Sequence, residues 1–295
     1  MMFDSEEILT KEVQTEDGQR EFQLRWIGDE AVAVETEEIH LTKYALMAAE
    51  HGKMIHLEKP GSQELADFER LIAMVKEKNL IFHTGYMYRY NPYILELLDK
   101  VDRGTLGEIV SVEAQMNCLH KDRLREWLTV FKGGMMFYLG CHLLDLILRI
   151  QGEPDRVIPL NRSTGKNGIS SEDFGMAVLE YPTGVSFAKT CDVEYGGYMR
   201  RQLVVTGTKG TVELQPLEYF AENGIATDKI ECNAENAAHW GDPRVATPCV
   251  SFDRYDVMMR GFAEIARGER ENPYTPDYEL TLYRLILKAC GISIE

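Results

Sequence analysis

The sequence predicts an α/β region with a parallel sheet, followed by an α+β region with an open, mostly antiparallel sheet. Three observations carry this expectation. From residue 30 to about residue 104, short apolar runs alternate with stretches of helical periodicity, the pattern of β-α-β units whose sheet is covered on both faces. Past Gly107 the apolar runs lengthen and are separated by hairpin-type turns, as in an antiparallel sheet. The chain has 295 residues, a length that suits two domains. The expected division is 1–107 and 108–295.

The elements follow in order. Ser5 to Glu16 reads as a short helix, and Glu21 to Ile27 alternates like a strand. Ala31-Val32-Ala33-Val34 is an apolar run suited to a buried parallel strand. A helix from about Leu41 to His51 follows, with Gly52 placed for a left-handed cap. Met54 to Leu57 is the next strand, ended by Pro60. Ser62 is placed to cap a helix whose apolar positions are Leu65, Phe68, Leu71, Ile72 and Val75. Leu80 to Thr84 is a third strand. Asn91-Pro92 opens a helix that ends by Gly104, a cap residue followed by proline at the first helical position. Glu108 to Asn117 reads as a strand and Gly134 to Gln151 as one helix. Strands follow at Phe174–Tyr181, Val185–Val193, Gln202–Thr206 and Thr211–Leu214, with turns at Pro182-Thr183-Gly184 and Gly207 to Gly210. Two helices close the chain, the last opened by Thr275-Pro276.

Composition narrows the function classes. Hydrophobic residues make up 44% and charged residues 27%, enough apolar material for a packed core. No run of about 18 apolar residues offers a membrane span. Met1 to Glu7 is acidic where a signal peptide needs a basic start. Acidic residues number 48 against 32 basic ones, a net charge of -16, which repels nucleic-acid phosphates and anionic lipid. The six cysteines are scattered without a C-x-x-C pair, so they read as reduced thiols and the expected location is cytoplasmic. No His, Asp or Glu grouping has metal spacing, and both a G-x-S-x-G elbow and a P-loop are absent.

Glu58-Lys59-Pro60 stands at the carboxyl end of a parallel strand, where open α/β sheets bind ligands. A lysine there can donate to a substrate oxygen; the three residues alone favour a solvated Glu-Lys pair before a helix. In the apolar segment Gly133 to Asp145, helical spacing puts Tyr138, His142 and Asp145 on one stripe. An imidazole flanked by a phenol and a carboxylate is a candidate proton acceptor near neutral pH; a satisfied core histidine explains the spacing equally well. Tyr86 to Tyr90 crowds aromatic rings around Arg89 at the ligand edge of the sheet. His239 to Asp242 and Cys118-x-His120 read as loop residues.

In their order, these segments resemble the glucose–fructose oxidoreductase and inositol dehydrogenase family (Gfo/Idh/MocA). Glu58-Lys59-Pro60 is similar to that family's E-K-P signature, and Gly85 to Pro92 to its G-[YF]-x-R-R-[YF]-x-P segment, with Tyr88 in place of the first arginine. Gly134 to His142 is similar to its G-x-x-x-D-x-G-x-H helix, and Gly207 to Gly210 to its G-T-x-G turn. The resemblance implies a partial Rossmann domain at 1–107, a substrate-binding and oligomerisation domain at 108–295, and a dimer or tetramer. It implies NAD- or NADP-dependent oxidation or reduction of a sugar, cyclitol or other small polyol. Lys59 then matches the lysine that contacts the reacting oxygen, and His142 the histidine that moves the proton. Thr36, Glu37 and His40 match the loop facing the nicotinamide half, with Glu58 and Pro60 beside it. Arg89, Asn117 and Asp145 are the implied substrate contacts.

Two departures qualify these expectations. The family's aspartate four residues before the histidine is Tyr138 here, and Asp145 either takes over its orienting role or does not. The G-x-G-x-x-G fingerprint is missing, since no two glycines are two apart. The first β-α-β unit, which carries the pyrophosphate turn and the ribose carboxylate, is therefore expected to be absent. A shortened gene product, a trimmed chain and a degenerate member all fit, and cofactor binding is expected to be weak or lost. The rival class is a non-catalytic sugar-binding or regulatory protein that keeps the fold.

Overall fold

A computed structural model describes residues 8–10, 13–15, 18–20, 23–27, 30–222, 224–236, 239–240, 242 and 245–294. The chain divides into two compact units. The first comprises residues 1–86 and 258–283, the second residues 87–257 and 284–295.

The first unit contains a five-stranded sheet and a separate hairpin. The strands are β1 (Ile8–Thr10), β2 (Val13–Thr15), β3 (Gly18–Arg20), β4 (Gln23–Ile27), β5 (Ala31–Glu35), β6 (Met54–Leu57) and β7 (Phe82–Thr84). Sheet order is β1-β4-β5-β6-β7, with β2 and β3 paired only to each other. β5, β6 and β7 run parallel. β4 lies antiparallel on β5, and β1 antiparallel on β4. The expected helix over residues 5–16 is thus corrected: its described residues are strands. Ile8, Thr10, Val13 and Thr15 are β-branched and favour extended backbone. The expected strand at 21–27 is present as β4, and it covers the edge that β5 would otherwise expose.

Helices α1 (Leu41–Glu50) and α2 (Leu65–Glu77) connect the parallel strands. Ser62 does not cap α2: the cap position is Glu64, while the Ser62 N–H donates to Thr42 Oγ1 at 3.0 Å. Phe82 and Thr84 share one sheet face with α2 and with Glu279 and Tyr283 of a later helix. Phe68 packs edge-on against Phe82 and stacks on Tyr283, and Thr84 Oγ1 donates to Glu279. His56 and His83, adjacent in register on the other face, lie against Phe262.

In the second unit, Asn91 caps α3 (Pro92–Asp102) as expected, its Oδ1 accepting from the N–H of Tyr93 at 2.9 Å. β8 (Ile109–Asn117) follows, then α4 (Asp122–Trp127). The expected single helix at 134–151 is instead a π turn, Met136–Gly140, leading into α5 (Cys141–Gln151). The remaining strands are β9 (Arg156–Pro159), β10 (Phe174–Tyr181), β11 (Gly184–Cys191), β12 (Gln202–Gly207), β13 (Gly210–Leu214), β14 (Tyr219–Ala221), β15 (Gly224–Ala226), β16 (Asp228–Asn233) and β17 (Thr247–Pro248). The large sheet has eight strands in the order β17-β16-β13-β12-β8-β11-β10-β9. Only its β8–β11 pair is parallel. The late helices are α6 (Asp256–Ala266), which belongs to the first unit from residue 258 on, and α7 (Pro276–Ala289), which belongs to it up to residue 283.

Small residues let α5 approach this sheet. Ala114, Ala177 and Ala188 are fully buried on three adjacent strands, with Leu179, Leu203 and Val205 completing the face. Among the described residues, no helix is long and apolar enough to cross a membrane.

Candidate active site

In the first unit, the implied cofactor residues cluster at the carboxyl ends of β5 and β6. Thr36, Glu37 and His40 follow β5 directly, through a short 3-10 turn at Glu38–His40. Glu58, Lys59 and Pro60 follow β6, and the Lys59–Pro60 peptide is cis. The Lys59 N–H donates to Glu58 Oε2 at 3.0 Å. Burial pushes the Glu58 carboxyl up to about 7, against the opposing pull of Lys59. The Glu38 carboxyl is raised for the same reason. Gly85 makes room for Glu58: a Cβ there would meet Glu58 Oε1 at 2.7 Å.

These residues fit the nicotinamide half of a dinucleotide. Thr36 Oγ1 is buried without a hydrogen-bond partner, so a hydroxyl stands open at the strand end where such a ligand sits. The pyrophosphate half finds no counterpart among the described residues. The strand beside β5 is antiparallel, whereas a phosphate-binding turn needs a parallel strand leading into a helix N-terminus.

In the second unit, the site is organised by the turn into α5. Gly133 and Gly134 both have positive φ, at 79° and 36°. A Cβ on Gly133 would meet Cys290 Sγ at 2.6 Å, and one on Gly134 the Glu172 carbonyl oxygen at 2.5 Å. No other residue type tolerates both the conformation and the crowding. The π turn then begins two residues later; such turns recur at functional sites because they re-aim side chains.

The re-aiming is visible in the contacts. Tyr138 packs its ring edge-on against Trp127 and His120, with centroids 5.6 and 6.2 Å away. His142 meets Tyr88 at 5.4 Å, edge to face. Asp145 accepts from Arg89 Nε at 2.9 and 3.1 Å and from its NH2 group at 2.8 Å. The three positions of the expected stripe thus have three different sets of neighbours. His142, Arg89 and Asp145 are all buried.

Asn117, at the end of β8, is fully buried, and its Oδ1 has no hydrogen-bond partner. Its backbone carbonyl accepts from Arg201 Nε at 3.3 Å. Arg201 and Arg254 both bind the Glu218 carboxylate, Arg254 at 2.5 Å. Burial and the neighbouring Glu218 hold the Tyr88 phenol well above its usual range. Sequence reasoning missed this group because Tyr88, Arg201, Glu218 and Arg254 lie far apart along the chain. His120 lies in the loop beyond the end of β8, as the sequence led one to expect, and is half-buried there. No group of three or more metal-ligating side chains occurs among the described residues.

Known proteins align with this arrangement. The GFO/IDH/MocA C-terminal domain pattern matches residues 94–213. Bovine trans-1,2-dihydrobenzene-1,2-diol dehydrogenase is 27% identical over 173 residues, 57% of this chain and 50% of that protein. Inositol 2-dehydrogenase 1 of Saccharopolyspora erythraea is 30% identical over 198 residues, 63% of this chain and 55% of its own length. The 3-ketoreductase KijD10 of Actinomadura kijaniata, solved in complex with NADP and TDP-benzene, superposes with a TM-score of 0.71. It is 17% identical, with 87% of this chain and 76% of that chain covered. The fold is that of these two-domain structures, and residues 94–213 belong to the GFO/IDH/MocA C-terminal domain family. It spans about half the length of the curated relatives it matches.

Proposed function

We propose that this chain is an NAD(P)-dependent oxidoreductase acting on a CH–OH group of a sugar, cyclitol or related polyol. The observation that carries the reading is Glu58-Lys59-Pro60 at the carboxyl end of β6, beside the open Thr36 hydroxyl. The names of the relatives support it, one being an inositol 2-dehydrogenase and one a dihydrodiol dehydrogenase. A bound nicotinamide supplies the hydride acceptor or donor. Thr36, Glu37, His40, Glu58 and Pro60 would hold its ribose side. Lys59 donates to the reacting oxygen and stabilises the charge that develops there. His142 takes or returns the hydroxyl proton, with Tyr138 as the second candidate for that role. Asn117 contributes an open, buried carbonyl oxygen to the substrate. Arg89 and Asp145 are the remaining substrate candidates, and their mutual ion pair also fixes the segment before α3 to α5. The outer face of the large sheet, with Met176, Val178, Phe187 and Val204 half-buried, suits a second copy of the chain.

The test joins calorimetry to turnover. Hydrogen bonds to a charged group contribute about 1.5–3 kcal/mol each, so lacking two or three at the pyrophosphate removes roughly 3–9 kcal/mol. Even the low end weakens binding by more than about a hundred-fold. NAD and NADP are therefore expected to bind in the high-micromolar to millimolar range. A dissociation constant at or below about ten micromolar would mean that residues 1–30 build a phosphate site. With saturating cofactor and a polyol panel, His142→Ala should lower the rate by about a hundred-fold or more. Unchanged turnover in that variant would remove His142 from the mechanism. The second reading, a non-catalytic sugar-binding or regulatory protein, is favoured by Tyr138 at the carboxylate position. It predicts sugar binding without turnover at any cofactor concentration.

A further inference from the structure

Around Asp192 the buried charges do not balance. Arg125, Asp173 and Asp192 are all fully buried, and one guanidinium faces both carboxylates. Its NH2 group donates to Asp173 Oδ2 at 2.6 Å, and its NH1 group reaches Asp122 at 3.3 Å. Asp192 receives only Nε at 3.5 Å, and neither of its carboxylate oxygens accepts a hydrogen bond. A buried carboxylate left in that state is costly, and structures supply a cation or donor to such groups.

The available group is His120. Its Nδ1 lies 3.8 Å from Asp192 Oδ2. Backbone pairing fixes this approach: the His120 N–H donates to the Asp192 carbonyl at 2.8 Å, and Cys118 N–H to that of Cys191 at 2.8 Å. A small side-chain rotation closes 3.8 Å to hydrogen-bond length, which an imidazolium beside an uncompensated carboxylate would make. The other groups facing the ring are Cys118 and Tyr138. Cys118 Sγ lies 3.3 Å from Nε2, and burial pushes that thiol up to about 12, so it stays protonated. Tyr138 presents its ring edge from the π turn, four residues before His142. The His120 side chain is 14% exposed, so it can exchange protons with water.

We propose that His120, backed by Asp192, is a positioning and proton-relay residue that exchanges the phenolic proton of Tyr138, directly or through one water. The inference rests on the oxidoreductase reading above. In the oxidation direction, with Tyr138, the second of the two candidates named above, in the proton-taking role, the substrate hydroxyl proton passes to the Tyr138 oxygen as the phenolic proton passes to His120. The hydride leaves the same carbon for the nicotinamide, the O–H and C–H bonds break, and a C=O double bond forms. Asp192 neutralises the imidazolium, which returns its proton to solvent.

Ring-carbon NMR of Tyr138 in the full chain tests the coupling without any turnover. The Tyr138 resonances should show an inflection at the same pH as those of His120. That inflection should vanish in His120→Gln, which keeps a polar side chain but removes the titratable imidazole, and in Asp192→Asn should move away from its wild-type pH. A Tyr138 inflection unchanged in both variants would overturn the proposal. A second arm applies where polyol turnover is measurable. There, His120→Gln should lower kcat about tenfold or more with KM unchanged, and should remove one limb of the pH–rate profile. A uniform loss with the profile intact would mean a merely structural role. If no polyol turns over, the functional reading fails while the NMR arm still decides the His120–Tyr138 coupling.

Discussion

Two buried charge groups in the second unit differ in one respect that decides what each can do. Arg89 and Asp145 are joined by three hydrogen bonds, with almost no exposure on either side. Arg125 faces two fully buried carboxylates, and the second of these, Asp192, has no hydrogen bond. A carboxylate that accepts three hydrogen bonds from one guanidinium is held in position. Asp192 still has two unfilled acceptor oxygens, and His120 Nδ1 lies 3.8 Å from one of them. The contrast separates anchoring from chemistry within one sheet-and-helix layer.

The largest expected effect lies on the closed side. Asp145→Ala leaves the Arg89 guanidinium buried without its counter-ion, so unfolding free energy should fall by about 3–5 kcal/mol. Denaturant unfolding measures it directly. Replacing both partners by apolar residues of similar volume should recover most of the loss. A single variant that costs under about 1 kcal/mol would show that water reaches Arg89, and the contrast would dissolve.

The first unit offers a case with no counter-ion at all. His56 is fully buried against His83 and Phe262, and burial alone holds its imidazole down to about 4. The unfolded chain accepts a proton on this ring near its ordinary value of about 6.5, while the folded chain refuses it until about 4. Stability should therefore be lost as pH falls from about 6.5 to about 4, by about 3 kcal/mol at most. Glu58 works in the opposite sense. Its carboxyl is raised to about 7 in the fold, so its contribution is lost as pH rises from about 4.5 through 7. The two oppose each other over most of one window, and wild-type stability should be nearly flat across it. Glu58→Gln removes one side and should expose a steep acid limb in the unfolding midpoints. A flat profile in that variant would show that His56 is not held neutral.

Much of this molecule was legible in the sequence, and what was not has a physical cause. Runs such as Ala31–Val34 and the cap-and-proline pair Asn91-Pro92 act locally, so β5 and α3 fall where expected. The helix expected at residues 5–16 failed because β-branched residues outweighed a weak periodicity. The motif residues Lys59, Tyr138 and His142 were legible as residue types at set spacings. Their neighbours were not, because a π turn breaks the 3.6-residue repeat that spacing arguments assume. His120 and Asp192 are 72 positions apart and meet only through the ends of β8 and β11. Nothing local marks such a pair. The best available sign was an odd one, a histidine two residues past a buried cysteine at a strand end.

The smallest expected effect is on the open side, and it presses hardest on the comparison. Arg125 and Asp173 already balance, joined at 2.6 Å, so Asp192 is the surplus charge. Asp192→Asn keeps the side chain's shape and removes a buried carboxylate whose oxygens accept no hydrogen bond. The gain from relieving that burial offsets whatever attraction Arg125 Nε exerts from 3.5 Å. Unfolding free energy should therefore change by less than about 1 kcal/mol, far below the effect at Asp145. The backbone pairing of His120 to residue 192 involves only main-chain atoms and should persist. Measuring both variants in one denaturant series gives the ratio directly. If Asp192→Asn costs as much as Asp145→Ala, then Asp192 is a firmly bound counter-ion of Arg125. The two groups would then be of one kind, both anchors, and His120 would have no surplus charge behind it.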